Sequence, residues 1–154
     1  MNIFVLSGSR NPKGQTAIAI DALCQAIPKE SIQLETVFLP HFTVERCRQC
    51  EDNGWGICRS EGRCVIQDDF PDLVHQIKQS DITVFATPVY IHDLSESLHA
   101  FLNRLFRIIR HCPENTKNFK GKKSIGLCVA GGSGRGATAC ALRLENILTF
   151  CGFA

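Results

Sequence analysis

Apolar residues fall in short blocks separated by polar, glycine-bearing stretches, and their spacing changes from block to block. Ile3 to Leu6 is an unbroken apolar run, which predicts a short buried strand. Beyond Thr16, the residues Ile20, Leu23, Cys24 and Ile27 recur at helical spacing, and Pro28 is expected to end that helix. Ile32 to Leu39 alternates in part, with Ile32, Leu34, Thr36 and Phe38 on one side, and reads as a strand. Residues 41–67 carry cysteines and glycines without a period and read as a long loop. Asp69 ahead of Pro71 marks a helix start, with Phe70, Val74 and Ile77 turned inward.

The run Ile82 to Ala86 within DITVFATPVY is apolar apart from Thr83 and predicts a strand covered on both faces. Asp93 and Glu96 form a predicted capping pair for a helix that buries Leu98, Phe101, Leu102, Leu105 and Ile109. SIGLCVAGG reads as a further buried strand leading into the loop Gly131 to Gly136. A last helix is predicted from Ala137 to Cys151, with Gly152 as its cap.

Strands alternating with helices in this order predict a doubly wound parallel α/β sheet, in one domain over residues 1–154. Ligands of such sheets sit beyond the carboxyl ends of the strands, where the strand order reverses. Those ends carry Ser7 to Thr16, Thr87 to His92 and Gly131 to Gly136. A five-stranded sheet needs one more strand after the last helix, and the expectation is that it lies beyond Ala154 rather than that the sheet has four strands.

Composition narrows the function. Apolar residues make up 44% and charged residues 21% of the 154, ordinary values for a globular domain. A net charge of +2 and a pI near 8.1 do not point to a nucleic-acid binder. Arg104, Arg107, Arg110, Lys117, Lys120, Lys122 and Lys123 face the single acid Glu114, so this stretch is either a solvated helix face and loop or a field for an anionic ligand. No apolar run approaches the roughly 20 residues of a membrane span. Met1-Asn2 leads straight into the first strand with no signal-peptide pattern, and a cytoplasmic location is expected. In that setting nine cysteines read as thiols or metal ligands rather than disulfides.

The loop SGSRNPKGQT is neither a P-loop, because Gln15 stands where the lysine belongs, nor a GxGxxG dinucleotide turn, because Ser9 and Arg10 follow Gly8. Hydroxyls at Ser7, Ser9 and Thr16, a cation at Arg10 and the amide groups of a helix start suit a single terminal phosphate. GSRNPKGQTA, DITVFATPVY and GLCVAGGSGRGA, in this order and spacing, resemble the NADPH-dependent FMN reductase group of the flavodoxin-like fold. The segment CRQC…GICRSEGRCVIQDDF resembles that group's iron–sulfur flavoprotein branch.

The resemblance implies that Ser9, Arg10, Gln15, Thr16 and the amide of Ala17 hold an FMN phosphate. It likewise places Thr87, Pro88, Val89 and Tyr90 along the flavin ring, with Gly132 and Ser133 at its other edge. NAD(P)H as substrate, an electron acceptor and a homodimer or homotetramer are implied in the same way. The flavin carries the chemistry, so no catalytic acid or base is expected. Cys47, Cys50, Cys58 and Cys64, separated by two, seven and five residues, suit a [4Fe–4S] cluster, a zinc ion or free thiols. The branch's tighter run places its third cysteine where Asn53 stands here. Cys24, Cys112, Cys128, Cys140 and Cys151 read as small buried hydrophobes. The five histidines show no metal-ligand spacing, and His92 is singled out only because it follows the ring loop.

Overall fold

The computed structural model describes residues 1–27 and 32–154, so the expected helix stop at Pro28 lies outside the described residues. Strands β1 (Asn2–Ser7), β2 (Gln33–Phe38), β3 (Ile82–Pro88) and β4 (Lys123–Val129) form one parallel sheet in the order β2-β1-β3-β4. The chain steps outward from β1 to β2, then crosses back to β3 and continues the other way. Right-handed crossovers therefore put α1 (Gln15–Gln25) on one face. They put α3 (Phe70–Gln79), α4 (Glu96–Arg110) and α6 (Ala137–Phe150) on the other. Burial follows this division. Ile3, Val5, Val84 and Ala86 pack with Ile20 of α1, while Phe4, Leu6 and Phe85 pack with Leu73, Leu98, Phe101 and Leu144 of the opposite layer. Both faces of the central strands are thus covered, which is why β1 and β3 read as unbroken apolar runs.

The outer strands depart from the pattern reading. Leu34 in β2 is 47% exposed, whereas Val37 and Leu39 are buried, so the predicted inward side is not the buried one. On that side Ile32, just before β2, packs against the α1 cluster, and Thr36 and Phe38 are half-buried. At the opposite edge Ile125 of β4 is partly exposed rather than buried. Residues 153–154 run parallel to the outer side of β4. Ala154 N–H donates to the Lys122 carbonyl at 2.9 Å, and Ser124 N–H donates to the Ala154 carbonyl at 2.8 Å. The sheet of the described residues has four strands, and the expected fifth is not among them.

Three further details correct the pattern reading. Ser95, not an Asp93–Glu96 pair, caps α4, accepting from Leu98 N–H, while Asp93 closes a turn with Tyr90. Helix α5 (Pro113–Phe119) has no strong apolar period and is anchored by the fully buried Phe119. The loop over residues 41–67 contains the short helix α2 (Ile57–Ser60).

The neck of that loop is pinned by two acids. Asp69 accepts from Thr43 N–H at 2.6 Å and returns its own N–H to the Thr43 carbonyl at 3.0 Å. Asp68 accepts from Glu45 N–H at 2.9 Å and takes a bidentate pair from Arg104 of α4, at 2.5 and 2.9 Å. Both side chains of this pair are 1% exposed, and the guanidinium lies 4.2 Å from the centre of the Phe70 ring. Arg104 is therefore neither of the two things its basic stretch suggested. Arg107 stacks on Trp55, and Lys122 donates to the Ser80 carbonyl, so these cations too serve internal contacts.

Burial alone would raise the Asp68 pKa, but the Arg104 pair and the backbone N–H groups of Glu45 and Phe70 outweigh it and hold the carboxyl below its ordinary value. A lowered folded pKa means that the pair's contribution is complete above the ordinary value near 3.8 and is lost as pH falls through the folded value. Asp68→Asn, which leaves the guanidinium buried without its counter-charge, is expected to cost about 3–5 kcal/mol at neutral pH. It should also flatten the acid limb of the stability profile. Denaturant titrations from pH 7 down to 3 check both, and a variant within 1 kcal/mol of the parent would contradict this role.

Candidate functional site

The strand order reverses between β1 and β3, and the carboxyl ends of these strands lie level, with Ser7 beside Ala86. Val129 of β4 lies level with Pro88. The three glycine- and hydroxyl-bearing loops therefore emerge side by side, at the position where doubly wound sheets take ligands. They also touch. Gly8 N–H donates to the Ala86 carbonyl at 2.8 Å, and the Gly8 carbonyl accepts from Ser97 Oγ at 3.0 Å. A Cβ at Gly8 would stand 2.1 Å from Ser95 Oγ, so only glycine lets the first loop pass so close to the start of α4. A Cβ at Gly136 would meet Val89 at 2.9 Å, which brings the third loop against the second.

Within the first loop, Ser9, Thr16 and Ala17 are buried, while Arg10 and Gln15 are exposed at its rim. Ser9 Oγ accepts from Asn11 N–H at 3.3 Å, and Asn11 Oδ1 accepts from Lys13 N–H at 2.9 Å, folding the loop on itself. Helix α1 begins with Gly14 as N-cap, no side chain caps it, and its first turn holds no acid. Its leading N–H groups and positive dipole end are left for an anion.

The second loop has a buried part and an exposed part. The Thr87 hydroxyl is already engaged, accepting from Ser95 N–H and donating to the Pro88 carbonyl, both at 2.9 Å, so this side chain braces the loop. Pro88 and Val89 are half-buried, and Tyr90 is 61% exposed. Gly132 and Ser133, in the third loop, are exposed. Ser95 and Ser97, which hold the first and second loops together, escaped the sequence reading because a lone serine between helix and loop carries no pattern.

Ile91 and His92 both have left-handed backbones, φ +50° and +65°, inside a turn closed by reciprocal Tyr90–Asp93 backbone bonds at 3.0 and 2.9 Å. Such a turn favours glycine or asparagine, and a β-branched residue there is strained by about 1–3 kcal/mol. Ile91 stands almost fully exposed at the tip of this turn.

Cys47, Cys50, Cys58 and Cys64 line one cavity, together with Arg48, Arg104 and Arg107. The space among them is narrow, about 20 Å³, enough for one water. Among the described residues no three Cys, His, Asp or Glu side chains are grouped to hold a metal ion, so the thiols ring the cavity rather than meet at a point. Of the other cysteines, Cys140 and Cys151 are buried as expected. Cys24, Cys112 and Cys128 are only half-buried. Cys128 and Cys140 approach to 3.4 Å, and burial pushes the Cys128 thiol up to about 12.

The family model for NADPH-dependent FMN reductase matches residues 1–154. The chain belongs to this family. It is 30% identical over 136 residues to an iron–sulfur flavoprotein of Methanosarcina thermophila, covering 88% of this chain and 65% of that protein. An iron–sulfur flavoprotein of Methanocaldococcus jannaschii is 29% identical over 104 residues, 68% of this chain and 51% of its own length. The chain thus spans between half and two thirds of the length of these two curated relatives. Among solved structures, RosB with bound 8-demethyl-8-formylriboflavin-5′-phosphate superposes with a TM-score of 0.77 at 24% identity, over all of this chain and 61% of that one. This likeness establishes the flavodoxin-like fold. Among the described residues no helix is long and apolar enough to cross a membrane.

Replacing Ile91 with asparagine, which tolerates the left-handed region, is expected to raise stability by about 1 kcal/mol. Thermal unfolding of the ligand-free protein checks this, and a lower Tm would show that the turn stores no strain.

Proposed function

We propose that this chain binds FMN at the switch point between β1 and β3 and works as an NAD(P)H-dependent oxidoreductase. The observation that carries the reading is the uncapped start of α1 beneath the buried Ser9 and Thr16, at the one edge where the three loops converge. Thr16 and the N–H groups of the first turn bind the phosphate, with Arg10 closing over it from the rim. Ser9 shapes the loop and adds its hydroxyl. Pro88, Val89 and Tyr90 supply an apolar wall for a flat ring, and Gly132 and Ser133 allow close backbone approach on the far side. Bound FMN supplies hydride acceptance from a nicotinamide and onward electron transfer. The residues of the crevice bind and orient, and none is assigned a proton. Exposed Tyr90 and Ile91 at the mouth suit burial by a second copy in a homodimer or homotetramer.

We further infer that the cysteine cavity takes a [4Fe–4S] cluster. Four thiols line one space beside buried arginine, and two of the curated relatives are named iron–sulfur flavoproteins, which supports this reading.

Thr16→Val is expected to weaken FMN binding by about 1–3 kcal/mol through loss of a hydroxyl contact to the phosphate. Fluorescence titration of the stripped protein measures this, and an unaltered Kd would remove Thr16 from the site. Cys50→Ser is expected to lower bound iron while leaving FMN affinity intact. Equal iron in variant and parent would count against the cysteine site.

A further inference from the structure

The carbonyls of Gly8, Arg10 and Asn11 in the first loop are each claimed by a donor. That of Asn11 accepts from Gly14 N–H at 3.1 Å, within the loop itself. The other two are held from outside, by segments that follow β2 and β3, the neighbours of β1 in the sheet. The Gly8 carbonyl accepts from Ser97 Oγ, in the first turn of α4, at 3.0 Å. The Arg10 carbonyl lies 3.1 Å from His41 Nε2, in the turn Leu39–His41 after β2. A carbonyl only accepts, so Nε2 carries the ring proton and donates.

Both donors are themselves oriented. Ser97 Oγ bonds Ser95 Oγ at 3.3 Å, and Ser95 caps α4. The His41 ring tilts against Phe38, with centroids 6.1 Å apart. The Gly8–Ser9 peptide is fixed at both ends, because its N–H donates to Ser7 Oγ at 3.3 Å. A peptide unit is a dipole of about 3.5 D that attracts an anion at its N–H end and repels it at its C=O end. A loop that presents N–H groups and hydroxyls to an anion must therefore keep its carbonyls turned away. Donors outside the loop do this before the anion arrives, so less ordering is left for binding to impose.

We propose that Ser97 and His41 are positioning residues for the flavin phosphate, holding the Gly8 and Arg10 carbonyls away from the anion. The proposal rests on the FMN reading above. Neither side chain is assigned a contact with the ligand. Their effect passes through two peptide units of the first loop, and so through the phosphate rather than the ring. Thr16, in contrast, acts by its own hydroxyl.

The full chain, stripped of flavin, is titrated with FMN and with riboflavin, which has the same ring and no phosphate. The parent is expected to bind FMN the more tightly. Ser97→Ala is expected to weaken FMN binding about tenfold, for one partly buried hydrogen bond, and to change riboflavin binding less than about twofold. Ser97→Thr keeps the hydroxyl and is expected to restore FMN affinity. His41→Phe keeps a ring beside Phe38 without the donor and is expected to weaken FMN binding about threefold, since this bond is exposed. Parent protein that binds FMN no more tightly than riboflavin, or binds neither, overturns the phosphate reading of the loop and this assignment together. Unchanged FMN affinity in a variant overturns the role of that residue and leaves the FMN reading standing. Equal loss of both flavins, or a Ser97→Thr variant that fails to restore FMN affinity, marks a general structural contact and overturns the positioning role.

Discussion

Everything at the candidate site depends on the parallel register of the central strands. Parallel pairing of β1 with β3 sets Ser7 level with Ala86, and pairing of β3 with β4 sets Pro88 level with Val129. Each strand must then turn back through a helix on one face or the other, so each leaves the sheet through a loop at the same edge. The loops need little sequence of their own to converge; they need only residues small enough to pass one another. Gly8 against Ser95 and Gly136 against Val89 are the two close passages.

A second constraint organises the insertion. A long loop between β2 and α3 has no core of its own, and it is held at its neck by Asp68 and Asp69 on one strand of chain and Thr43 and Glu45 on the other. Arg104 fastens that neck to α4. A buried ion pair is weak support for stability in general, but it is expensive to break one partner at a time. Its position here gives it a geometric task, since the same guanidinium lines the space around the four thiols.

The fold was legible because the central strands obey simple rules. Ile3 to Leu6 and Ile82 to Ala86 are apolar on both faces since helices cover both, and α4 shows its buried side at clean helical spacing. What failed to show lies at edges and in pairs. β2 and β4 are half-covered, so their alternation misleads. The capping of α4 by Ser95 is a single hydroxyl with no partner in sequence. Arg104 looked like one of seven basic residues on a polar stretch, because its counter-charge stands 36 positions away in the chain. The first loop, in contrast, was legible as a strand-to-helix turn, and Ser9 and Thr16 are buried where α1 starts after Gly14. The Thr87 hydroxyl braces the second loop, a role that DITVFATPVY alone does not reveal because Ser95 N–H is brought within reach only by the fold.

The central claim is that the strand-end crevice holds FMN. The visible absorption spectrum of the protein purified without oxygen tests it most directly. The account predicts the two absorption bands of a bound flavin, released as FMN on denaturation. A colourless protein that remains colourless on gel filtration after incubation with FMN would contradict it.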